Sequence, residues 1–439
     1  MPKKTQADEA VLPDEQTKLK KPRNVVPKEV ITLILDAARS SIKFTAIFQG
    51  KVINCPKLPS VFAELENPLH QELGAFSVGL KPKEVPQEEK AKDEIKHYVV
   101  GDRATLEINP VAMTQGHDHK IDYFYLLALG AISSIPNLYE CSSGTSETSR
   151  TLTLKMVVLS LGDGKALLDQ LKQCRWMKVN GIKYRLNFLL NHSLYFAEGY
   201  GSAVWAKKFL NLEPLNPTHR DVTVFDIGYG TACQTDYVCY GELPLKRFVE
   251  TNGGGGLGSL VTFLSRAMAR GDSSRLIPIS EVRQILEDSK FEDGKARAIA
   301  NDGRDVSEAL ERAIQWWMTD SPLSFALDSV SLASRRQPVV LVGGSFRIPA
   351  IKEKIKQRLE RGGAIDSNLL FPENPESLSV QGMVELFNEN QKPQLKVVKD
   401  GDSNKQETEL QRATEISEPN QDSGSTTGDG ALLLDSQSA

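Results

Sequence analysis

The residues best suited to chemistry lie in the stretch DVTVFDIGYGTACQTDYVCY, from 221 to 240. An apolar run ends at Asp226, and a turn with Gly228 and Gly230 follows. Thr231 then opens a second apolar run, so the pattern predicts a β-hairpin. Glycines let backbone N–H groups approach a ligand, and carboxylates hold hydrated divalent metals. The turn therefore suits a phosphate-bearing ligand with a metal, although such turns also occur in hairpins that bind nothing.

A second stretch near the start of the chain repeats this order of features. ITLILDAARSSIKFTAIFQG, from 31 to 50, contains an apolar run, Asp36, small and hydroxyl residues that include Ser40 and Ser41, then Lys43 and another apolar run. The pattern predicts another hairpin with a carboxylate at the end of its first strand.

A third stretch, PVVLVGGSFRIPA from 338 to 350, is an apolar strand that ends at Gly343, Gly344 and Ser345. A helical pattern follows from 348 to 359. Two hairpins and a late strand–Gly-Gly–helix, in this order and spacing, resemble the superfamily of actin, the sugar kinases and the Hsp70 ATPases. The resemblance implies that the hairpins are the phosphate-1 and phosphate-2 loops, and that the Gly-Gly turn is the adenosine loop.

The resemblance implies an α/β, actin-like fold of two lobes, in which duplicated RNase H-like domains enclose a nucleotide cleft. The implied cofactors are ATP or GTP and Mg²⁺, with Asp36 and Asp226 holding the metal through water. Residues of the hairpins and of the late turn that are expected to contact the nucleotide are Asp36, Ser40, Ser41, Lys43, Gly228, Gly230, Thr231, Gly343, Gly344 and Ser345. For Lys43 the alternative is an ordinary surface lysine at a strand end.

Glu198 lies in LYFAEGYGSAVWAKKFL, from 194 to 210, where an apolar strand gives way to a helical pattern. By resemblance this segment connects the two halves of the molecule. Glu198 then matches the catalytic glutamate that orients the water attacking the γ-phosphate, with Asp226 as the second catalytic carboxylate. The alternative for Glu198 is a carboxylate that stabilises the helix N-terminus.

A glycine run at 253–256 leads directly into an amphipathic helical pattern. Backbone donors at a helix N-terminus can hold phosphate or ribose, so Gly254, Gly255 and Gly256 are predicted to contact the nucleotide. A plain linker is the alternative. The segment HYVVGDRA, from 97 to 104, and this glycine-rich turn resemble plasmid-segregating actins of the ParM/StbA type.

Two places depart from the resembled pattern. The first hairpin has Ala38 and Arg39 where a glycine and then a serine or threonine are usual. Because alanine adopts positive φ only at a cost, the turn is expected to differ or to be strained. In the second hairpin Cys233 replaces a usual aspartate. Both departures favour weak hydrolysis.

The length of 439 residues allows two or three domains. The predicted division is a disordered arm at 1–29, domain I at 30–205, domain II at 206–374, a helix at 375–389 that returns to domain I, and a disordered tail at 390–439. The two tails contain too little apolar sequence to form a core. Apolar spacing predicts further helices at 118–135, 164–175, 279–288 and 305–318, and strands at 151–162 and 182–190.

The composition limits the classes of partner. A net charge of −4 gives no electrostatic case for direct binding to nucleic acid. The five cysteines form no CxxC pair, which indicates reduced thiols. The longest apolar run, 124–135, is too short to cross a bilayer, and the sequence lacks a signal-peptide pattern, so a cytoplasmic protein is expected.

The resemblance implies a filament-forming bacterial ATPase that segregates DNA or serves as a cytoskeleton. Its expected partners are further copies of itself and a DNA-binding or membrane-associated adaptor. The alternatives are a nucleotide-binding scaffold with little hydrolysis and a kinase-like ATPase that does not polymerise. Nothing identifies the base that a sugar kinase needs, and 390–439 cannot form the peptide-binding domain of an Hsp70.

Removing 1–29 and 390–439 is expected to leave the thermal unfolding midpoint and nucleotide binding unchanged, because neither tail can contribute to a core. Differential scanning calorimetry of the full and shortened chains measures the midpoint. A large drop in the shortened chain contradicts the expectation, since it requires a tail to pack on the folded body.

Overall fold

The computed structural model describes residues 29–81, 94–114, 119–160, 162–210, 221–239, 243–269 and 277–389. Both predicted tails, except for Glu29, and most of the charged segment at 81–96 lie outside the described residues.

The first sheet is built from strands in the first half of the chain. Its strands are β1 (Ile31–Ala37), β2 (Ser41–Phe48), β3 (Lys51–Asn54), β4 (Leu58–Pro59), β5 (Val61–Leu65), β6 (Ala75–Leu80), β7 (Glu94–Val100), β8 (Val111–Ala112), β9 (Ser149–Leu159), β10 (Cys174–Val179), β11 (Ile182–Phe188) and β12 (Leu194–Phe196). Their order is β3-β2-β1-β9-β11-β10-β6-β7-β5-β8, with β4 paired to β2 and β12 paired to β9.

The second half of the chain forms a smaller sheet and a separate two-stranded ribbon. Their strands are β13 (Asp221–Ile227), β14 (Thr231–Val238), β15 (Leu245–Gly253), the ribbon β16 (Lys290–Glu292) and β17 (Lys295–Arg297), β18 (Val339–Val342) and β19 (Leu369–Leu370). The order in the second sheet is β15-β14-β13-β18-β19.

Both sheets contain the same five-stranded unit. In the first sheet, β3, β2 and β1 are antiparallel neighbours, and β1 is parallel to β9, which is parallel to β12. In the second sheet, β15, β14 and β13 are antiparallel, and β13 is parallel to β18, which is parallel to β19. The two lobes are thus a structural duplication, and strands β10, β11 and β5 to β8 enlarge the first one.

The helices are α1 (His119–Asp122), α2 (Phe124–Ser133), α3 (Gly164–Gln170), α4 (Tyr200–Phe209), α5 (Leu257–Met268), α6 (Ile279–Glu287), α7 (Ser307–Thr319), α8 (Leu323–Ser334), α9 (Pro349–Arg361) and α10 (Leu378–Glu389). The helices predicted at 279–288, 305–318 and 348–359 are confirmed as α6, α7 and α9. Helix α8, which covers LSFALDSVSLAS, was not expected from the sequence.

Two predicted helices are wrong in extent. The helix predicted at 164–175 ends at Gln170, because Cys174–Val179 is recruited as β10 between β6 and β11. The helix predicted at 118–135 is interrupted at Tyr123 and continues as α2, which is buried along most of its length. In both places, pairing and burial in the first lobe override the local periodicity.

Helices α4 and α10 pack together between the two sheets. Their apolar side chains share one core with residues of β1 and β9 from the first sheet and of β13 and β18 from the second. The two helices cross closely at Gly201 and Gly382, where a Cβ on Gly201 would lie 1.7 Å from the Ser379 carbonyl oxygen. The Ser202 and Ser379 hydroxyls, 2.8 Å apart, form a hydrogen bond beside this crossing.

Gly201→Ala is expected to lower the free energy of unfolding by about 3 kcal/mol, because the new methyl group forces α4 and α10 apart. In a helix, alanine normally raises the free energy of unfolding by about 1 kcal/mol relative to glycine. A lower free energy of unfolding in Gly201→Ala is therefore caused by the close crossing of the two helices. Urea denaturation measures the change. Gly253→Ala is the control, because its Cβ would meet no atom within 4 Å. Equal stability of both variants contradicts the assignment.

Candidate functional site

The two predicted hairpins are β1–β2 and β13–β14, and their turns are built alike. The Ala38 N–H donates to the Ser41 carbonyl at 3.1 Å, and the Gly228 N–H donates to the Thr231 carbonyl at 3.0 Å. Asp36 lies opposite Lys43 across the first hairpin, as Asp226 lies opposite Cys233 across the second. The duplicated sheets therefore carry duplicated turns, each with a carboxylate at the end of its first strand.

The first turn is not strained at Ala38. Ala38 has a negative φ, and so have Gly228 and Gly230 in the second hairpin. Neither turn uses the left-handed region that favours glycine. Alanine at this position therefore gives the same turn as glycine.

The two hairpins, Glu198 and the Gly-Gly turn after β18 line one cleft with about 690 Å³ of empty space, including solvent at its mouth. The sequence-predicted residues that line this cleft are Asp36, Ser40, Ser41, Lys43, Glu198, Asp226, Gly228, Gly344 and Ser345. Residues far apart in the chain thus converge on one space between the lobes.

Lys43 is the cation at the centre of this cleft. Its Nζ lies 3.2 Å from Asp36 Oδ2, and the two side chains are only 14% and 10% exposed. Burial by itself lowers the pKa of Lys43, but the negative charges of Asp36, Asp226 and Glu198 outweigh it and raise the pKa above its usual value. Lys43 therefore stays protonated at neutral pH, and it is not an ordinary surface lysine.

Two polar atoms in the cleft wall have no hydrogen-bond partner among the described residues. They are Asp36 Oδ1 and Ser345 Oγ, and both are buried. Buried polar atoms are normally paired, so these two fit a ligand or ordered water in the cleft. The described part of the chain brings no three metal-ligating side chains together. Mg²⁺ commonly keeps several waters and takes one or two carboxylates, and Asp36 and Asp226 fit that mode.

The other predicted residues, Gly230, Thr231, Gly254, Gly255, Gly256 and Gly343, do not line this cleft. The glycine run lies behind the second hairpin. The N–H groups of Gly254, Leu257 and Gly258 donate to carbonyls of the hairpin turn at 3.1, 3.0 and 2.7 Å. A Cβ on Gly256 would lie 2.5 Å from the Thr231 nitrogen. The run therefore holds the turn in position, and its contact with phosphate stays a prediction.

Gly343 supports the site from behind. Its φ is +102°, and a Cβ there would lie 2.4 Å from Asp226 Oδ1. Its N–H donates to the Pro375 carbonyl at 3.0 Å, which joins the Gly-Gly turn to the segment before α10. A larger residue would displace the Asp226 carboxylate, so glycine is needed here.

A chain of charged side chains that the sequence did not indicate also lines the cleft. Lys57 Nζ lies 2.7 Å from one Glu376 oxygen, and Arg347 lies 3.7 Å from the other. Arg347 also lies 3.6 Å from Glu287, which accepts from Arg283 at 2.9 Å. Of these five charged residues, only Arg347 directly follows a motif that is recognisable in the sequence. The spacing of the other four, Lys57, Arg283, Glu287 and Glu376, did not predict that they line the cleft.

The pKa of Glu376 is lowered. Burial would raise this pKa, but Lys57, Arg347 and Lys43 together outweigh burial. The Glu376 carboxylate is therefore charged at neutral pH and holds two cations from different parts of the chain.

None of the helices in the described ranges is long and apolar enough to cross a membrane.

No protein-family model and no curated protein matches the sequence. Solved structures do match in fold. A 15-stranded ParM filament from Clostridium botulinum aligns with a TM-score of 0.59 at 15% identity, over 82% of this chain and 99% of that one. Ta0583, an archaeal actin homologue, aligns with a TM-score of 0.52 at 14% identity, over 82% and 100%. Bacillus thuringiensis ParM with AMPPNP aligns with a TM-score of 0.50 at 12% identity, over 83% and 99%. The chain thus has the actin-like fold, as the sequence predicted.

Lys43→Met is expected to lower the free energy of unfolding by about 2–4 kcal/mol at pH 7, because it leaves buried carboxylates without their cation. Urea denaturation at pH 7 measures this change. Lys51→Met, on the exposed strand β3, is the matched control.

A loss no larger than that of Lys51→Met contradicts the electrostatic cause. The double variant Asp36→Asn/Lys43→Met removes one of the unpaired charges. It should therefore be more stable at pH 7 than Lys43→Met alone.

Proposed function

We propose that the protein is a nucleotide-dependent, filament-forming actin homologue that binds and slowly hydrolyses ATP or GTP with Mg²⁺. The single observation that carries this proposal is the cleft in which the duplicated hairpins face each other around Lys43. Asp36, Asp226 and Glu198 surround the Lys43 ammonium, and their charges act on its pKa. A cation with several carboxylates between two turns is the arrangement that a metal–triphosphate needs.

Each residue of the cleft has a role in this proposal. Lys43, freed from Asp36 when nucleotide enters, neutralises phosphate charge. Asp36 and Asp226 hold the hydrated metal, which supplies further charge neutralisation when bound. Ser40 and Ser41 contact the phosphates, and Gly228 lets the backbone of the second turn come close to them. Gly344 and Ser345 lie toward the nucleoside.

Glu198 is the residue proposed to orient the attacking water. It comes just before α4, where Gly199 adopts a left-handed φ of 82° and packs against Val224 of the second sheet. The Tyr237 hydroxyl lies 3.5 Å from the Glu198 carbonyl oxygen. The backbone of Glu198 is thus held by the second lobe, and Glu198 lines the cleft.

Self-assembly rests on the fold similarity to a ParM filament. Under this proposal, further copies of the chain are the first partner, and a DNA-binding or membrane-associated adaptor is the second. A net charge of −4 favours an adaptor over direct DNA contact. The proposed setting is a cytoplasmic cytoskeleton or a DNA-segregating filament. The proposed domain division is 30–205, 206–374 and 375–389.

A scaffold with little hydrolysis is the second candidate, and Cys233 favours it. Its Sγ lies 3.5 Å from the Thr251 hydroxyl and 3.7 Å from the Thr235 hydroxyl, and the residue is 4% exposed. Burial raises the pKa of this thiol, so it is neutral at pH 7. The second hairpin therefore lines the cleft with one carboxylate, Asp226, where two are usual in the resembled pattern.

Glu198→Gln is expected to lower phosphate release about 10²-fold while leaving nucleotide affinity within a factor of two, because orienting water is a transition-state task. Filaments of this variant, viewed by negative-stain microscopy with ATP, should outlast those of the wild type. Glu292→Gln, on the exposed strand β16, is the control.

Asp226→Asn should differ by weakening the binding of the metal–nucleotide itself. Equal, low phosphate release by wild type and Glu198→Gln with equal filament lifetimes would favour the scaffold. Persistent monomers with every nucleotide would overturn polymerisation and leave a kinase-like ATPase.

A further inference from the structure

A second cavity lies on the other side of the hairpin tips. This tip cavity has a volume of about 850 Å³ including solvent, and Arg39 and Thr114 of the first lobe line it. The second lobe contributes Tyr229, Gly230, Gly258, Ser259, Thr262, Phe263, Arg266 and Trp316. Tyr229 is the one residue that lines both the tip cavity and the nucleotide cleft. The two spaces are therefore neighbours separated by the second hairpin.

The lining of the tip cavity is positively charged. Among the residues that the structure describes, it contains Arg39 and Arg266 and no carboxylate. Within the described ranges, neither arginine forms an ion pair with an acidic side chain. Two guanidinium groups offer ten N–H donors and no acceptor, so the cavity favours an anion that accepts several hydrogen bonds.

Arg39 reaches this cavity across the second hairpin. A Cβ on Gly230 would lie 2.9 Å from Arg39 Nη1 and 3.0 Å from its Cδ, so the arginine lies directly on the Gly230 backbone. The side chain is half-buried there. Its place in the turn is equivalent to that of Tyr229 in the second turn. Arg39 of the first lobe thus packs against the second lobe where it lines the tip cavity.

Several other polar groups of the wall are already engaged. The Ser259 and Thr262 hydroxyls donate to carbonyls of their own helix at 2.8 Å each, and the Gly258 N–H donates to Tyr229. Phe263 and Trp316 stack at 4.3 Å with an angle of 6° and form a rigid apolar side. The two arginines are the charged donors of the wall.

We propose that the tip cavity binds a phosphate-type oxyanion between Arg39 of the first lobe and Arg266 of the second. The anion is either free phosphate or the phosphate of a nucleotide. Because one arginine comes from each lobe, the bound anion links the lobes beside the nucleotide cleft. It should therefore stabilise the folded chain and slow the release of a nucleotide from the cleft.

The direct test uses inorganic phosphate on the nucleotide-free full chain, with chloride at the same ionic strength as reference. Phosphate should raise the thermal midpoint of the wild type, and isothermal calorimetry should show binding about tenfold weaker, or more, in Arg39→Met and Arg266→Met. Arg266 is exposed on α5, so its substitution tests the site without disturbing a hairpin. Arg336→Met, also exposed at a helix end, should bind phosphate like the wild type.

The nucleotide cleft is the competing location for phosphate. If binding survives in Arg266→Met and disappears in Lys43→Met, the anion lies in the cleft and the proposal is overturned. It is overturned too if the wild type shows no phosphate-specific stabilisation. Because these measurements need no nucleotide, failure here is distinct from failure of the proposed ATPase.

Titration with excess ADP identifies the source of the anion. A second ADP equivalent that is lost in Arg266→Met supports a nucleotide phosphate as ligand, whereas binding of inorganic phosphate alone supports free phosphate. With ADP in the cleft, added phosphate should slow ADP release from the wild type and from Arg336→Met at least twofold. An equal slowing in Arg266→Met contradicts the link between the lobes.

Discussion

The close crossing of α4 and α10 is the constraint on which the rest of the structure depends. The two helices lie between the sheets, and their apolar faces join β1 and β9 of one lobe to β13 and β18 of the other. Gly201 and Gly382 allow their backbones to touch, since a Cβ on either would lie within 2 Å of a backbone oxygen. The distance between the lobes, and so the width of the cleft, follows from two residues without side chains.

The repeated hairpins give the cleft its shape, and the residues that differ between the two hairpins determine its charge. Both hairpins place a carboxylate opposite a residue of the next strand, but that residue is Lys43 in the first lobe and Cys233 in the second. The Lys43 ammonium interacts electrostatically with carboxylates from both lobes. The neutral, buried Cys233 packs among threonines. The cleft is therefore electrostatically asymmetric although its backbone is repeated.

Charge is distributed differently on the two sides of Tyr229. On the cleft side, cations and anions alternate from Lys57 through Glu376 and Arg347 to Glu287. On the tip side, the described lining carries positive charge only. Paired charges cost little to keep in place, whereas adjacent like charges are stable only in water or with an anion. The two cavities therefore suit different ligands.

The sequence by itself determined the hairpins, the Gly-Gly turn and most helices, because glycine turns and apolar periodicity are local signals. The two-lobed fold was implied by the family resemblance of these motifs in their order and spacing. The sequence also indicated nine residues of the cleft lining. Only the tertiary structure decided that Cys174–Val179 is a strand, that the run at 254–256 braces a turn, and that Lys57 and Glu376, 319 positions apart, share an ion pair. These outcomes depend on which distant segment lies opposite, and neither periodicity nor spacing carries that information.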